Sequence, residues 1–244
     1  MRSALVTGAS RGIGRGIAAS LARQGYALTI TSRSEADLAD LADELGHLGA
    51  PQVVHRAADL ADRAAAPALV GLHAEAFGSM DALVVNAGVG TAGPVVSYPV
   101  RRLEKTLEVN FTSAFLLMQV ALPLLRAAAE ADPVRAARIV CLSSITGAYA
   151  EAGLAVYGAS KAALMSLVET VNLEESGRGV CATAIAPGYV ETDMSAWVTD
   201  TVPPGTMIRV DDVVAVVDML LGLSRAASIP KVVLTRSGAS AYGA

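Results

Sequence analysis

Between a short apolar run and a helical pattern the chain places Thr7-Gly8-Ala9-Ser10-Arg11-Gly12-Ile13-Gly14. This stretch limits the possible folds more than any other. Residues 3–7 are apolar and end at glycine, the pattern of a strand covered on both faces. Ile17, Ala18 and Leu21 then recur at helical spacing. A strand, a glycine turn and a helix make the opening of a nucleotide-binding βαβ unit. Glycines let the backbone approach a pyrophosphate, and the helix N-terminus attracts its charge. The spacing Gly-x-x-x-Gly-x-Gly is not that of the usual Gly-x-Gly-x-x-Gly fingerprint, though the physical logic is the same. The competing reading is a tight turn without a ligand.

Strand-like and helix-like patterns alternate from there on. Strands are expected at 26–31, 52–57, 82–85, 138–142, 180–186 and 231–235, and helices at 36–48, 63–77, 100–131, 157–176 and 211–223. This alternation predicts an α/β fold: a doubly wound, Rossmann-type parallel sheet of about seven strands with helices on both faces. With 244 residues the chain can bury one sizeable core, so residues 1–244 are expected to form a single dinucleotide-binding and catalytic domain. Residues 195–209 show no clear period; a loop of that length inside a compact domain reads as part of a substrate lid at about 190–210. It holds the only tryptophan, Trp197, which either meets substrate or pins the loop.

Several classes are disfavoured. The net charge is −4 with no basic block, which argues against nucleic acid. Gly8 comes too early for a signal peptide. The apolar run at 115–125 is interrupted by Gln119 and Pro123 and reads as a buried helix too short to span a bilayer. Cys141 and Cys181 sit in strand-like runs without metal-ligand spacing and read as buried free thiols of a reducing compartment. The expected location is the cytoplasm, with no metal. His47, His55 and His73 lie away from the glycine turns and read as surface residues.

The strand ends carry the chemistry. A site for NAD usually has an acid after the second strand. Here Ser32-Arg33-Ser34 stands there instead, and Arg33 with Arg11 would hold a 2′-phosphate, assisted by Ser10 and Ser32. That favours NADP, with NADPH preferred over NADH; the competing reading is a pair of solvated arginines. Asp59-Leu60 follows the third strand; Asp59 either meets an adenine amino group or caps the next helix. Asn86-Ala87-Gly88-Val89-Gly90 forms a second glycine turn at the ligand-binding edge, where Asn86 either contacts ligand or braces a strand. Asn110 is an amide amid apolar residues and must find partners. Ser143-Ser144 and Pro187-Gly188 end the fifth and sixth strands.

Tyr157 and Lys161 are four residues apart, one turn along a helix face. A phenol titrates near pH ~10, and a neighbouring ammonium lowers that value. The pair reads as a candidate proton donor with a built-in tuning group; the competing reading is a chance pairing on a solvated helix.

Taken together, Thr7-Gly8-x-x-x-Gly12-x-Gly14, Asp59, Asn86-Ala87-Gly88, Asn110, Ser144, Tyr157-x-x-x-Lys161 and Pro187-Gly188 stand in one order along nearly the whole chain. In this the chain resembles the short-chain dehydrogenase/reductase family, in its compact branch, and looks nearest to ketoreductases of the 3-oxoacyl carrier-protein reductase type. The resemblance implies an NADP-dependent oxidoreductase that passes hydride between the nicotinamide and a carbonyl or alcohol. Tyr157 would be proton donor or acceptor, and Lys161 would tune it and bond the nicotinamide ribose. Ser144, thirteen residues before Tyr157, would bond the substrate oxygen, with Ser143 as its competitor. Asn110 would hold a relay water, and Val190 and Thr192 would hold the carboxamide. A homotetramer or dimer is implied as well. The apolar candidates Val89, Ile145, Tyr149, Tyr189, Trp197 and Met207 point to an apolar carbonyl or alcohol substrate. The alternative is a non-catalytic NADP-binding regulator or scaffold on the same fold. The tail 229–237 departs from the family's glycine-rich ending and leaves the substrate open.

Overall fold

The computed structural model describes residues 1–239. Seven strands form one parallel sheet: β1 (Ser3–Thr7), β2 (Ala27–Ser32), β3 (Val53–Ala57), β4 (Ala82–Val85), β5 (Ala137–Leu142), β6 (Val180–Pro187) and β7 (Lys231–Leu234), in the order β3-β2-β1-β4-β5-β6-β7. The central strands β1, β4, β5 and β6 are buried along their whole length. That accounts for their unbroken apolar runs, since helices cover both faces.

The helices are α1 (Gly12–Arg23), α2 (Glu35–His47), α3 (Ala65–Phe77), α4 (Val100–Leu107), α5 (Ser113–Ala131), α6 (Ile145–Ala148), α7 (Ala155–Glu175) and α8 (Val210–Gly222). One core lies under α3, α5 and α7 and is filled by Leu69, Leu117, Leu125 and Val168. The other lies under α1, α2 and α8 and is filled by Ile17, Leu21, Leu38 and Val217. β1 pairs with β2 on one side and β4 on the other. The loops leaving β1 and β4 therefore run to opposite faces, and a crevice opens between them.

The helix expected at 100–131 contains a π-turn, Glu108–Thr112, between α4 and α5. It also continues through Pro123 rather than breaking there. An interior proline costs about 3 kcal/mol, and burial of Leu117 and Leu125 at about 1.5–3 kcal/mol each offsets that. By length and composition alone Val100–Ala131 is long and apolar enough to cross a bilayer, and its Leu117, Met118, Ala121 and Leu125 pack in the core.

His73 corrects the expectation of three surface histidines: it is fully buried. It falls in step with Ala66, Leu69 and Val70 on the inner stripe of α3. Nε2 lies 3.1 Å from the Ser79 carbonyl, which only accepts, so Nε2 carries the proton and Nδ1 accepts from the Thr29 hydroxyl at 2.8 Å. Burial pushes the ring's pKa down to about 4. In the unfolded chain it is near ~6.5. Between these values the unfolded state binds the extra proton, so stability is full above pH ~6.5 and is lost as pH falls toward ~4, by up to about 3 kcal/mol. Urea midpoints of the wild type should slope across this window, and those of His73→Gln should be flatter. Equal slopes would rule the histidine out as the cause.

Candidate active site

The two glycine turns are clipped together at the crevice. Thr7 Oγ1 accepts from the backbone N–H groups of Asn86 (3.0 Å) and Ala87 (3.1 Å). The Asn86 amide donates back to the carbonyls of Thr7 (2.9 Å) and Gly8 (3.0 Å). Asn86 is thus a brace between β1 and β4. Gly8 has φ +65°, a conformation that side chains avoid. A Cβ on Gly14 would collide with the Gly8 carbonyl and the Asn86 amide.

A cavity of about 1220 Å³ starts at this turn, along Ser10, Arg11, Gly12 and Ile13. Its lining also includes Ser32 and Arg33, Asp59 and Leu60, Asn86, Ala87 and Gly88, and Ser144, Tyr157 and Lys161. Pro187, Gly188, Val190 and Thr192 line it too. Gly14 and Asn110 stand behind the wall rather than in it. The groups suit a dinucleotide: a glycine turn whose side chains would fill the approach, a helix N-terminus for phosphate charge, and an exposed Arg33 beside Ser32. Arg11 forms an exposed ion pair with Asp193 (3.0 Å). Asp59 accepts from Ala61 N–H at 3.0 Å, closing the turn that leads toward α3.

Strand β5 delivers two serines with different fates. Ser143 Oγ donates to the Lys161 carbonyl at 2.9 Å and is used up in holding α7 to the sheet. Ser144 Oγ accepts from Thr146 N–H (3.3 Å) and Thr146 Oγ1–H (2.9 Å). Both lone pairs are then occupied, and its own proton is left to donate. Ser144 and Tyr157 line the same cavity: burial pushes the phenol's pKa up, and Ser144 pulls it back. The ammonium of Lys161 is 5.8 Å from the Tyr157 ring centroid and donates to the Leu142 carbonyl at 2.7 Å. Burial lowers its pKa to about 8, opposed by the neighbouring Cys141. The sequence assigns the tuning of the phenol to Lys161. In the structure desolvation is the largest influence and Ser144 is the group that offsets it.

The π-turn sets Asn110 against the second glycine turn. Its Oδ1 accepts from Val89 N–H (2.8 Å), and its Nδ2 donates to the Val89 carbonyl and to Ser160 Oγ (both 3.1 Å). This amide splints the β4 loop to the Tyr157 helix. A Cβ at Gly88 would lie 3.2 Å from Asn110 Oδ1 and 3.3 Å from Lys161 Nζ, a tight fit that those side chains would have to yield to.

Residues 2–202 match the short chain dehydrogenase family. The chain belongs to that family. As a short-chain dehydrogenase it is an NAD(P)-dependent oxidoreductase. It is 36% identical over 236 residues to a "Rhamnolipids biosynthesis 3-oxoacyl-[acyl-carrier-protein] reductase" of Pseudomonas aeruginosa, covering 92% of this chain and 91% of that protein. Among solved structures it resembles the Pseudomonas aeruginosa RhlG/NADP active-site complex, with TM-score 0.86 and 32% identity over 96% of this chain and 94% of that one. A short chain dehydrogenase from Burkholderia cenocepacia in complex with NADP superposes with TM-score 0.85 at 31% identity, over 97% of this chain and 96% of the other.

Two of the expected wall residues of this short-chain dehydrogenase lie elsewhere. Tyr149 lines a separate hollow of about 400 Å³ beside Met165 and Lys231. Met207 packs against Val198 and Val202. Val89, Ile145, Tyr189 and Trp197 do line the main cavity, and Trp197 meets Tyr189 edge to face at 6.1 Å. Sequence reasoning passed over Thr146, Ser160, Asp193 and Glu151. Thr146, two residues after Ser144, had a local signal in that spacing; the others had none.

Proposed function

We propose that this short-chain dehydrogenase is an NADP-dependent ketoreductase with a substrate that is apolar over most of its length. The observation that carries the proposal is the neutral, desolvated Tyr157 beside Ser144 in the cavity that the glycine turn also lines. When bound, the reduced nicotinamide supplies hydride to the carbonyl carbon. Tyr157 gives its proton to the carbonyl oxygen, and Ser144 donates to the same atom. Two donors aimed where negative charge develops stabilise it as it forms. Lys161 adds a buried positive charge nearby and bonds the cofactor's ribose, and Asn110 keeps the wall around Gly88 in register for a relay water. Val190 and Thr192 meet the carboxamide, and residues 190–210 act as the lid. NADPH oxidation with a panel of ketones tests the activity, and the Tyr157 variant discussed below tests the proton donor.

Preference for NADPH rests on Arg33 and Arg11, supported by the two similar structures that are complexes with NADP. Arg33→Asp places a negative charge at the 2′ position. It is expected to weaken NADPH binding at least tenfold and to make NADH the tighter ligand in fluorescence titrations. Equal wild-type affinities for the two cofactors would end the 2′-phosphate argument.

A further inference from the structure

Glu151 and Tyr189 line the same cavity as Ser144 and Tyr157, and the chemistry proposed above makes no use of them. Glu151 lies between α6 and α7, and Tyr189 follows β6. The Tyr189 hydroxyl donates to Glu151 Oε1 at 2.8 Å. Burial first, then the Glu151 carboxylate, raises the pKa of Tyr189, and Tyr157 adds to the effect while Arg236 opposes it. The two phenols and the carboxylate therefore share one electrostatic neighbourhood. The second oxygen, Oε2, is shut off from solvent and has no hydrogen-bond partner among the described residues.

A buried acceptor left unpaired costs about 1–3 kcal/mol, and more when it is charged. Val89, Ile145 and Trp197 line the same cavity and bring no charged donor to it; the cation whose field reaches this pair is Arg236. The last torsion of a glutamate is soft and two-fold. Glu151 lines the cavity, and a partial turn about this torsion reorients its carboxylate toward a ligand there without moving the backbone.

We propose that Glu151 is a specificity-determining residue whose carboxylate accepts a hydrogen bond from a hydroxyl or ammonium group on the substrate. This rests on the ketoreductase reading and deepens it. The substrate class is then an amphipathic ketone, apolar along Val89, Ile145 and Trp197, with a donor group set apart from the carbonyl. A carboxylate in the same place is disfavoured by like charge. A site built to accept a hydrogen bond rejects the analogue that lacks the donor, because its own buried group is then left bare.

The test uses matched ketones that differ in one group: hydroxyl, ammonium, methyl or carboxylate. Two quantities are measured for each, kcat/KM with NADPH and calorimetric affinity for the protein loaded with NADP, which needs no turnover. The wild type should favour a donor over methyl at least tenfold and should rank the carboxylate last. Glu151→Leu should favour methyl. The near-isosteric Glu151→Gln, which guards against a misfolded leucine variant, should lose most of the donor preference and admit the carboxylate. NADPH oxidation with equal constants for the hydroxyl and methyl ketones would sink this inference and leave the ketoreductase reading standing. Donor preference in calorimetry without any turnover would support the inference and remove that reading. Flat affinities, or a preference that survives in both variants, overturn the role given to Glu151.

Discussion

Tyr157→Phe should lower kcat for ketone reduction by about 10²–10⁴-fold, the usual worth of a positioned general acid. In barrier terms that is about 3–5 kcal/mol. The substitution removes one hydroxyl and keeps the ring, so packing against the cavity wall changes little. Ser144 keeps its two bonds from Thr146, and Lys161 keeps its bond to the Leu142 carbonyl. NADPH affinity should therefore stay within a few-fold of wild type. Single-turnover kinetics separate the two quantities: hydride transfer should slow while cofactor binding holds. An unchanged hydride-transfer rate would mean that another group, or water, protonates the oxygen.

The second large effect is structural. Gly14→Ala is expected to lower Tm by about 5–10 °C and to weaken NADPH binding at least tenfold. Helix propensity works the other way, since Ala is favoured over Gly by about 1 kcal/mol inside a helix. Here propensity loses. The added Cβ meets the Gly8 carbonyl, which is backbone, and the Asn86 amide, which two hydrogen bonds pin to β1. Neither can give way cheaply. Overpacking costs about 1–3 kcal/mol, and a broken Asn86 bond adds about 1 kcal/mol. In a protein of this size each kcal/mol corresponds to about 2–4 °C. The same shift moves the turn proposed to hold the pyrophosphate. Gly71→Ala is the control: it lies in α3 with nothing within 4 Å of the added atom, so it should be neutral or slightly stabilising. A Gly14→Ala protein that melts and binds NADPH like the wild type would show that the turn is looser than its packing indicates.

Most strands, the order of the elements and the positions of the two glycine turns were legible because each is a local pattern. An apolar run of four to six residues ending in glycine reads as a covered parallel strand whatever else the chain does. The short helix α6 was missed, since four residues carry no period. The choice between Ser143 and Ser144 rested on spacing alone; the structure adds that the Ser143 hydroxyl is engaged by the Lys161 carbonyl, eighteen residues away. The helix around Asn110 was legible, but its π-turn was not, because the extra residue is stabilised by bonds to Val89 and Ser160. His73 shows a signal that was present and unread: its place on the inner stripe of α3 was visible, and its burial followed.

By itself, the sequence determined that this chain winds as a parallel α/β sheet with a glycine turn opening a dinucleotide crevice, and that a tyrosine and a lysine share a helix face. Those features follow from periodicity and spacing over at most a dozen residues. Tertiary structure alone decided that the phenol's pKa rises rather than falls, that His73 is neutral in the core, and that Glu151 faces Tyr189 with one oxygen unmet. Desolvation and pairing depend on which distant segments are brought together, and no local pattern records that.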